Sequence, residues 1–159
     1  MELLDLVDIN GNSLGKTVER GNCEIKEGEY IVITVVYLKS NDKYLLQLTS
    51  KEKGNVYAVT GGHVPHGLTS REQTVVECKE ELGLDLDIDR LEYLGVVYRK
   101  QAMFTVYLYE DDNLINEKIT LQEEEVADAF WLTKEEIDSL IEKDLVREST
   151  CKSYNKFIK

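Results

Sequence analysis

The sequence predicts an α+β fold, an α/β/α sandwich with a mixed β-sheet between helices. Three observations carry that expectation. The predicted elements run in the order strands, helix, strands, helix, which places a sheet between helical layers. Residues 31–38, IVITVVYL, form a β-branched apolar run suited to a central strand. Residues 69–83 carry apolar and acidic positions at helical spacing, so one helix buries one face and presents charge on the other. The chain has 159 residues, of which 42% are apolar, and nine tyrosines, enough to fill the core of a single domain over 1–159.

The elements follow in order. Residues 3–8 and 14–19 flank Asn10-Gly11-Asn12, a strong turn signal, and predict a hairpin. After the central strand, Ser40-Asn41-Asp42 turns the chain into the strand Tyr44-Leu45-Leu46-Gln47-Leu48. A short strand at 56–59 leads into a glycine-rich loop that begins at Gly61-Gly62. The helix then starts at Thr69 or Ser70, either of which can cap it, and ends by Gly83. Strands are expected at 92–99, 103–109 and 126–132. Thr133 followed by Glu136 reads as a capping box that opens a second helix through Lys143.

Charge and cysteine usage narrow the function. A formal net charge of −12 argues against general affinity for nucleic acid or for an anionic membrane surface, since both need clustered positive charge. The three cysteines, Cys23, Cys78 and Cys151, are odd in number and lack metal-like spacing. They fit a reduced, cytoplasmic protein, with Cys78 as a small core residue. The opening MELLDLVDINGN has neither a basic region nor a long apolar run, so no signal peptide is expected. No stretch approaches the ~20 apolar residues of a membrane span.

The chemistry concentrates on the first helix. Glu77, Glu80 and Glu81 are spaced by three and four, which sets all three carboxylates on one helix face. Like charges so placed repel and cost stability in water. A hard divalent cation such as Mg²⁺ reverses that cost, because it takes carboxylate oxygens. Val75, Cys78 and Leu82 mark the opposite, apolar face. The bland alternative, a solvated acidic face, leaves the glycines at both ends of the segment unexplained.

Residues 62–84, GHVPHGLTSREQTVVECKEELGL, resemble the Nudix box. That pattern is Gly, five residues, Glu, seven residues, then Arg-Glu-apolar-x-Glu-Glu-x-Gly-apolar. It is met at Gly62, Glu77, Cys78, Glu80, Glu81, Gly83 and Leu84. It departs at Leu68, where the family has its first Glu, and at Val76, where it has Arg. The resemblance implies the Nudix architecture. It also implies Mg²⁺- or Mn²⁺-dependent cleavage of the phosphoanhydride in a nucleoside diphosphate linked to another group. Glu77, Glu80 and Glu81 would then be the catalytic metal ligands, with a backbone carbonyl from Gly61 or Gly62 completing the shell. Gly62 and His63 would meet substrate, and Glu77 is an alternative general base. Many family members draw a further Glu from a loop outside the box, for which Glu123, Glu124 and Glu125 are the candidates. In the family the Arg helps to orient the neighbouring Glu, so Val76 leaves Glu77 without that donor.

The resemblance over residues 2–84 extends to a Nudix branch related to isopentenyl-diphosphate isomerases. Those enzymes use a Cys two residues before a His, and metal-binding histidines after the opening hairpin. Here His63 has Gly61 at the Cys position, and the chain holds only His63 and His66. Isomerase chemistry is therefore the weaker reading. A non-catalytic Nudix-fold module that binds a nucleotide is the other alternative, motivated by Leu68 and Val76. Nudix proteins are often dimers, which leaves a homodimer open.

Lys51, Lys53, Arg99 and Lys100 are candidate phosphate partners, although surface exposure explains each equally well. His66 is a weaker substrate candidate than His63. Phe130 and Trp131 alternate faces in one strand, so one belongs to the core and the other is free to stack on a base.

Overall fold

The computed structural model describes residues 2–21 and 24–159, so Cys23 lies outside the described residues. The opening hairpin forms as its turn signal predicts. β1 (Leu3–Val7) and β2 (Ser13–Glu19) pair antiparallel, and the Asp8 carboxylate accepts from the backbone N–H groups of Asn10 and Asn12 in the turn.

The apolar run at 31–38 becomes β3 (Ile31–Ser40), the middle strand of the main sheet. It runs parallel to β8 (Ala102–Glu110), in register from Ile31↔Ala102 to Lys39↔Glu110. β7 (Glu92–Arg99) pairs antiparallel outside β8. On its other side β3 meets β4 (Lys43–Thr49) only at the turn, through Lys39↔Tyr44 and Ser40↔Lys43. Beyond that point the two strands part. β6 (Thr60–His63) takes the edge of β3, while β5 (Tyr57–Ala58) and β9 (Val126–Leu132) pair with β4. The mixed sheet is therefore split, and the candidate site lies at the split.

The glycine-rich loop expected at Gly61-Gly62 is instead strand, paired as Val35↔Gly61 and Thr34↔Gly62. Glycine is a weak strand former, which hides this in the sequence. The reason for it is close approach: a Cβ on Gly61 would lie 2.1 Å from the carbonyl oxygen of Thr34.

Helices cover both faces of the sheet. α1 (Ser70–Leu82) opens on a complete capping box between Thr69 and Glu72 and closes at Gly83, whose φ is 70°. Its Cys78 and Leu82 are buried against Val36, Leu38 and Leu45, as the apolar face predicts. Each such fully buried leucine contributes about 1.5–3 kcal/mol. α2 (Lys134–Glu142) opens on the predicted Thr133–Glu136 capping box. α3 (Glu148–Ser153) and the π-helical turn that follows over Tyr154–Ile158 are not among the elements expected from sequence. Ile137, Tyr154 and Ile158 seal the second face over Tyr37, Leu46 and Val106. The Tyr37 hydroxyl shares a 2.6 Å hydrogen bond with Ser153 Oγ, which ties α3 to the central strand. The result is the expected α/β/α sandwich. No described helix is long and apolar enough to cross a membrane.

Candidate active site

The site is assembled from the split sheet and α1. Gln47 sits two residues after Leu45 on β4, on the face that meets α1. Its Nε2 donates to Glu81 Oε1 at 2.8 Å, and its Oε1 accepts from Thr60 Oγ1 at 3.2 Å. This chain of hydrogen bonds spans the gap between β4 and β6. Glu77 is held from two sides. Gln73 Nε2 donates to its Oε1 at 2.8 Å, and a Cβ on Gly62 would lie only 2.3 Å from that same oxygen. Glycine at 62 is thus required for the carboxylate to lie against β6.

The three glutamates have different surroundings. Glu81 is 5% exposed, Glu77 is half-buried and Glu80 is exposed. Burial, then a hydrogen bond with Glu77, pushes the Glu81 carboxyl well above the usual carboxylate range. Burial, then the charge of Glu77, raises Glu80 as well.

Glu81 forms part of the wall of a cavity of about 480 Å³. Gly61, Gly62 and His63 line the same cavity, over an apolar floor of Ile33, Val35 and Phe104. Glu125 also lines it, 3.6 Å from the ammonium of Lys53. Glu123 and Glu124 are exposed, so of the acidic run only Glu125 reaches the cavity. Arg20, Lys53, Arg99 and Arg147 bring positive charge to the walls. Arg147 donates to the carbonyl of Lys53 at 3.2 Å. Burial lowers the pKa of its guanidinium, against the opposing pull of Glu81 and Glu125. Burial also depresses His63, with Arg20 adding to the effect, so the ring favours its neutral form.

The donor set suits a hard divalent cation: carboxylates, and a glycine strand that leaves room beside Glu77. Among the described residues no three His, Cys, Asp or Glu side chains yet close on a common point. Glu77 and Glu81 are instead engaged by Gln73 and Gln47.

Comparison with known proteins identifies the family. The model of the NUDIX domain matches residues 30–151. An uncharacterized Nudix hydrolase from Listeria monocytogenes is 33% identical over 145 residues, spanning 88% of this chain and 85% of that protein. The chain belongs to the Nudix hydrolase family. A counterpart named in the same words from Listeria innocua is 32% identical over the same length. A crystal structure from Deinococcus radiodurans superposes with a TM-score of 0.81 at 19% identity, covering 99% of this chain and 100% of that one. A bifunctional NMN adenylyltransferase/ADP ribose pyrophosphatase from Francisella tularensis, complexed with AMP and a manganese ion, gives a TM-score of 0.64 at 16% identity. That match covers 79% of this chain and 40% of the other.

Within this Nudix fold the predicted residues separate. His63, Lys53 and Arg99 join the cavity with Gly61, Gly62 and Glu81. Lys51 is exposed, and Lys100 lies in the turn between β7 and β8. His66 is bound to Asp5 at 2.7 Å, on the exposed side of the hairpin. Trp131 packs on the core beneath α1, and Phe130 lies 6.0 Å from the ring of Tyr57. Leu68, at the first departure from the Nudix box, is 37% exposed and lines a second cavity beside Tyr93 and Tyr107. Val76, at the other, is half-buried on α1. Sequence reasoning missed Gln47, Thr60, Gln73, Arg20 and Arg147. The i, i+4 spacing of Gln73 and Glu77 is a readable signal, and so is a glutamine inside an apolar strand. Nothing in the sequence marks Arg147.

Proposed function

We propose that the protein is a Mg²⁺-dependent pyrophosphohydrolase, with Mn²⁺ as the alternative ion. Its substrate class is a nucleoside diphosphate linked to another group, cut at the phosphoanhydride. One observation carries this reading. A single cavity sets Glu81, Glu125 and Glu148 among four cationic side chains, with Arg99 paired to Glu148 at 2.8 Å, in a chain whose net charge is −12. Four cationic side chains gathered at one place in an acidic chain suit a polyphosphate.

Glu77, Glu80 and Glu81 would hold the cation, with a carbonyl of Gly61 or Gly62. When bound, the ion neutralises phosphoryl oxygens and makes a coordinated water more acidic. Arg147, Lys53 and Arg99 bind and orient the phosphates from the facing walls. Glu125 accepts the proton of the attacking water, with the Lys53 ammonium 3.6 Å from its carboxylate. Phe104, Ile33 and Val35 exclude bulk water from the floor, which strengthens each of these charge interactions. His63, uncharged, offers a hydrogen bond to the substrate. The Francisella tularensis neighbour, with its AMP and manganese ion, supports a nucleotide substrate and Mn²⁺ as a second ion.

The test is turnover on a panel of nucleoside triphosphates, dinucleoside polyphosphates, nucleotide sugars, ADP-ribose and NADH with Mg²⁺. Phosphate release is scored with and without added phosphatase. Turnover of one class, lost in Glu81→Gln, supports the reading and names the substrate. No turnover, together with no Mg²⁺ binding, overturns it in favour of a binding module.

A further inference from the structure

We propose that Gln73 is a positioning residue that fixes the carboxylate of Glu77 for metal binding. The inference rests on the proposed metal-dependent reading, and it concerns a residue outside the acidic triplet.

Gln73 precedes Glu77 by four positions on α1, so the two side chains meet on one helix face. Its Nε2 donates to Glu77 Oε1 at 2.8 Å, and the residue is only 6% exposed. The other half of the amide is the informative part. Gln73 Oε1 is buried with no hydrogen-bond partner. An ionised carboxylate only accepts, so the amide must present its NH₂ to Glu77 and its carbonyl elsewhere. Leaving a buried acceptor unpaired destabilises the fold, and an apolar side chain of the same length would avoid that cost. The carbonyl half of the amide at 73 therefore works against stability. What it secures is one oxygen of Glu77.

That oxygen is constrained again from the far side. The glycine backbone of β6 passes so close that a Cβ on Gly62 would lie 2.3 Å from Glu77 Oε1 and 2.6 Å from its Cδ. Gln73 on the helix and Gly62 on the strand together clamp the carboxylate. Glu81, one turn further on, has an equivalent partner in Gln47 at 2.8 Å. Each of the two glutamates nearest the split sheet thus has its own buried glutamine.

Partners that orient metal ligands are typically worth about ten- to a hundredfold in metal affinity. The experiment titrates Mn²⁺ alone into the protein, reading free Mn²⁺ by electron paramagnetic resonance, for the parent, Gln73→Met and Gln73→Asn. Melting of each metal-free protein is followed alongside. Gln73→Met keeps the length and removes the donor. Gln73→Asn keeps the amide and withdraws it by one carbon, which serves if the methionine variant does not fold. The expected result is a ten- to hundredfold weaker Kd for Mn²⁺ in both, with the metal-free melting temperature of Gln73→Met held or raised. An unchanged Kd with a lowered melting temperature makes Gln73 a structural residue and overturns the proposal. Absence of saturable Mn²⁺ binding in the parent overturns the metal-dependent reading itself, which separates the two failures.

Discussion

A methyl group on Gly62 would meet Glu77 Oε1 at 2.3 Å, whereas one on Gly61 would meet the main-chain oxygen of Thr34 at 2.1 Å. The two adjacent glycines are required for different reasons, and their alanine variants should fail differently. In Gly62→Ala the obstacle is the far end of a flexible side chain, which can swing away. The fold should survive, with metal binding and turnover lost together. In Gly61→Ala the obstacle is backbone, so β6 must separate from β3. Overpacking of this kind costs about 1–3 kcal/mol or more. Urea denaturation of the metal-free variants checks the contrast: a large loss for Gly61→Ala and a small one for Gly62→Ala.

The carboxyl of Glu81 gives a pH dependence with a definite sign. Burial and the hydrogen bond with Glu77 push its pKa up to about 9, from the ordinary 4.5. The folded chain then keeps a proton that the unfolded chain releases. The associated stability is complete below about 4.5 and is lost as pH rises toward about 9, with a slope of at most about 1.4 kcal/mol per pH unit. The melting temperature of metal-free protein should therefore fall across neutral pH. Saturating Mg²⁺ should flatten the fall, because the cation replaces the proton. Glu81→Gln should remove most of the slope. A slope that survives this substitution would place the proton on another group.

Most of this architecture could be read from residues alone, and the reasons are local. Thr69 with Glu72 and Thr133 with Glu136 form capping boxes within four residues of chain. Asn10-Gly11-Asn12 makes its own turn, and the β-branched run at 31–38 permits little but a buried strand. What stayed hidden depends on distant parts of the chain. α3 has no apolar stripe. Ser149, Thr150 and Ser153 are buried although none is greasy: Thr150 and Ser153 hydrogen-bond with Tyr37 on β3, and Thr150 also with Val59 between β5 and β6. Arg147 enters the cavity because its N–H pairs with the carbonyl of Tyr57, while the Tyr57 N–H pairs with the carbonyl of Leu145. No spacing rule brings residues 57 and 147 together. The acidic triplet was visible as a helix face. The glutamines that hold two of its members were not singled out, since a neutral amide announces no chemistry.

The acidic run before β9 should divide sharply. Only Glu125 lines the cavity, where Lys53 lies 3.6 Å away, and Glu123 and Glu124 face solvent. A positioned general base contributes about 10²–10⁴ to rate. Glu125→Gln should lower kcat by that order, while Glu123→Gln and Glu124→Gln stay near the parent. Single-substitution kinetics on the substrate found by the panel decide this. Equal activity in all three variants would remove the run from the mechanism and return the role of base to the helix.

Arg147 offers the clearest test of the cationic wall, because its guanidinium stands against both Glu81 and Glu125. In the absence of substrate it offsets two carboxylates. With a polyphosphate in the cavity its charge is shared with the ligand. A hydrogen bond to a charged group is worth about 1.5–3 kcal/mol, so removing it should raise KM by roughly ten- to a hundredfold. Arg147→Met keeps the packing of the stem and should show that loss in full. Arg147→Lys should recover only part of it, since an ammonium cannot span two phosphate oxygens as a planar guanidinium does. The loss should appear in KM and leave Mn²⁺ affinity unchanged or slightly increased, because a positive neighbour of the metal ligands has gone. A matching fall in metal affinity would instead make Arg147 a support for the glutamates, and the phosphates would then be held by Lys53 and Arg99.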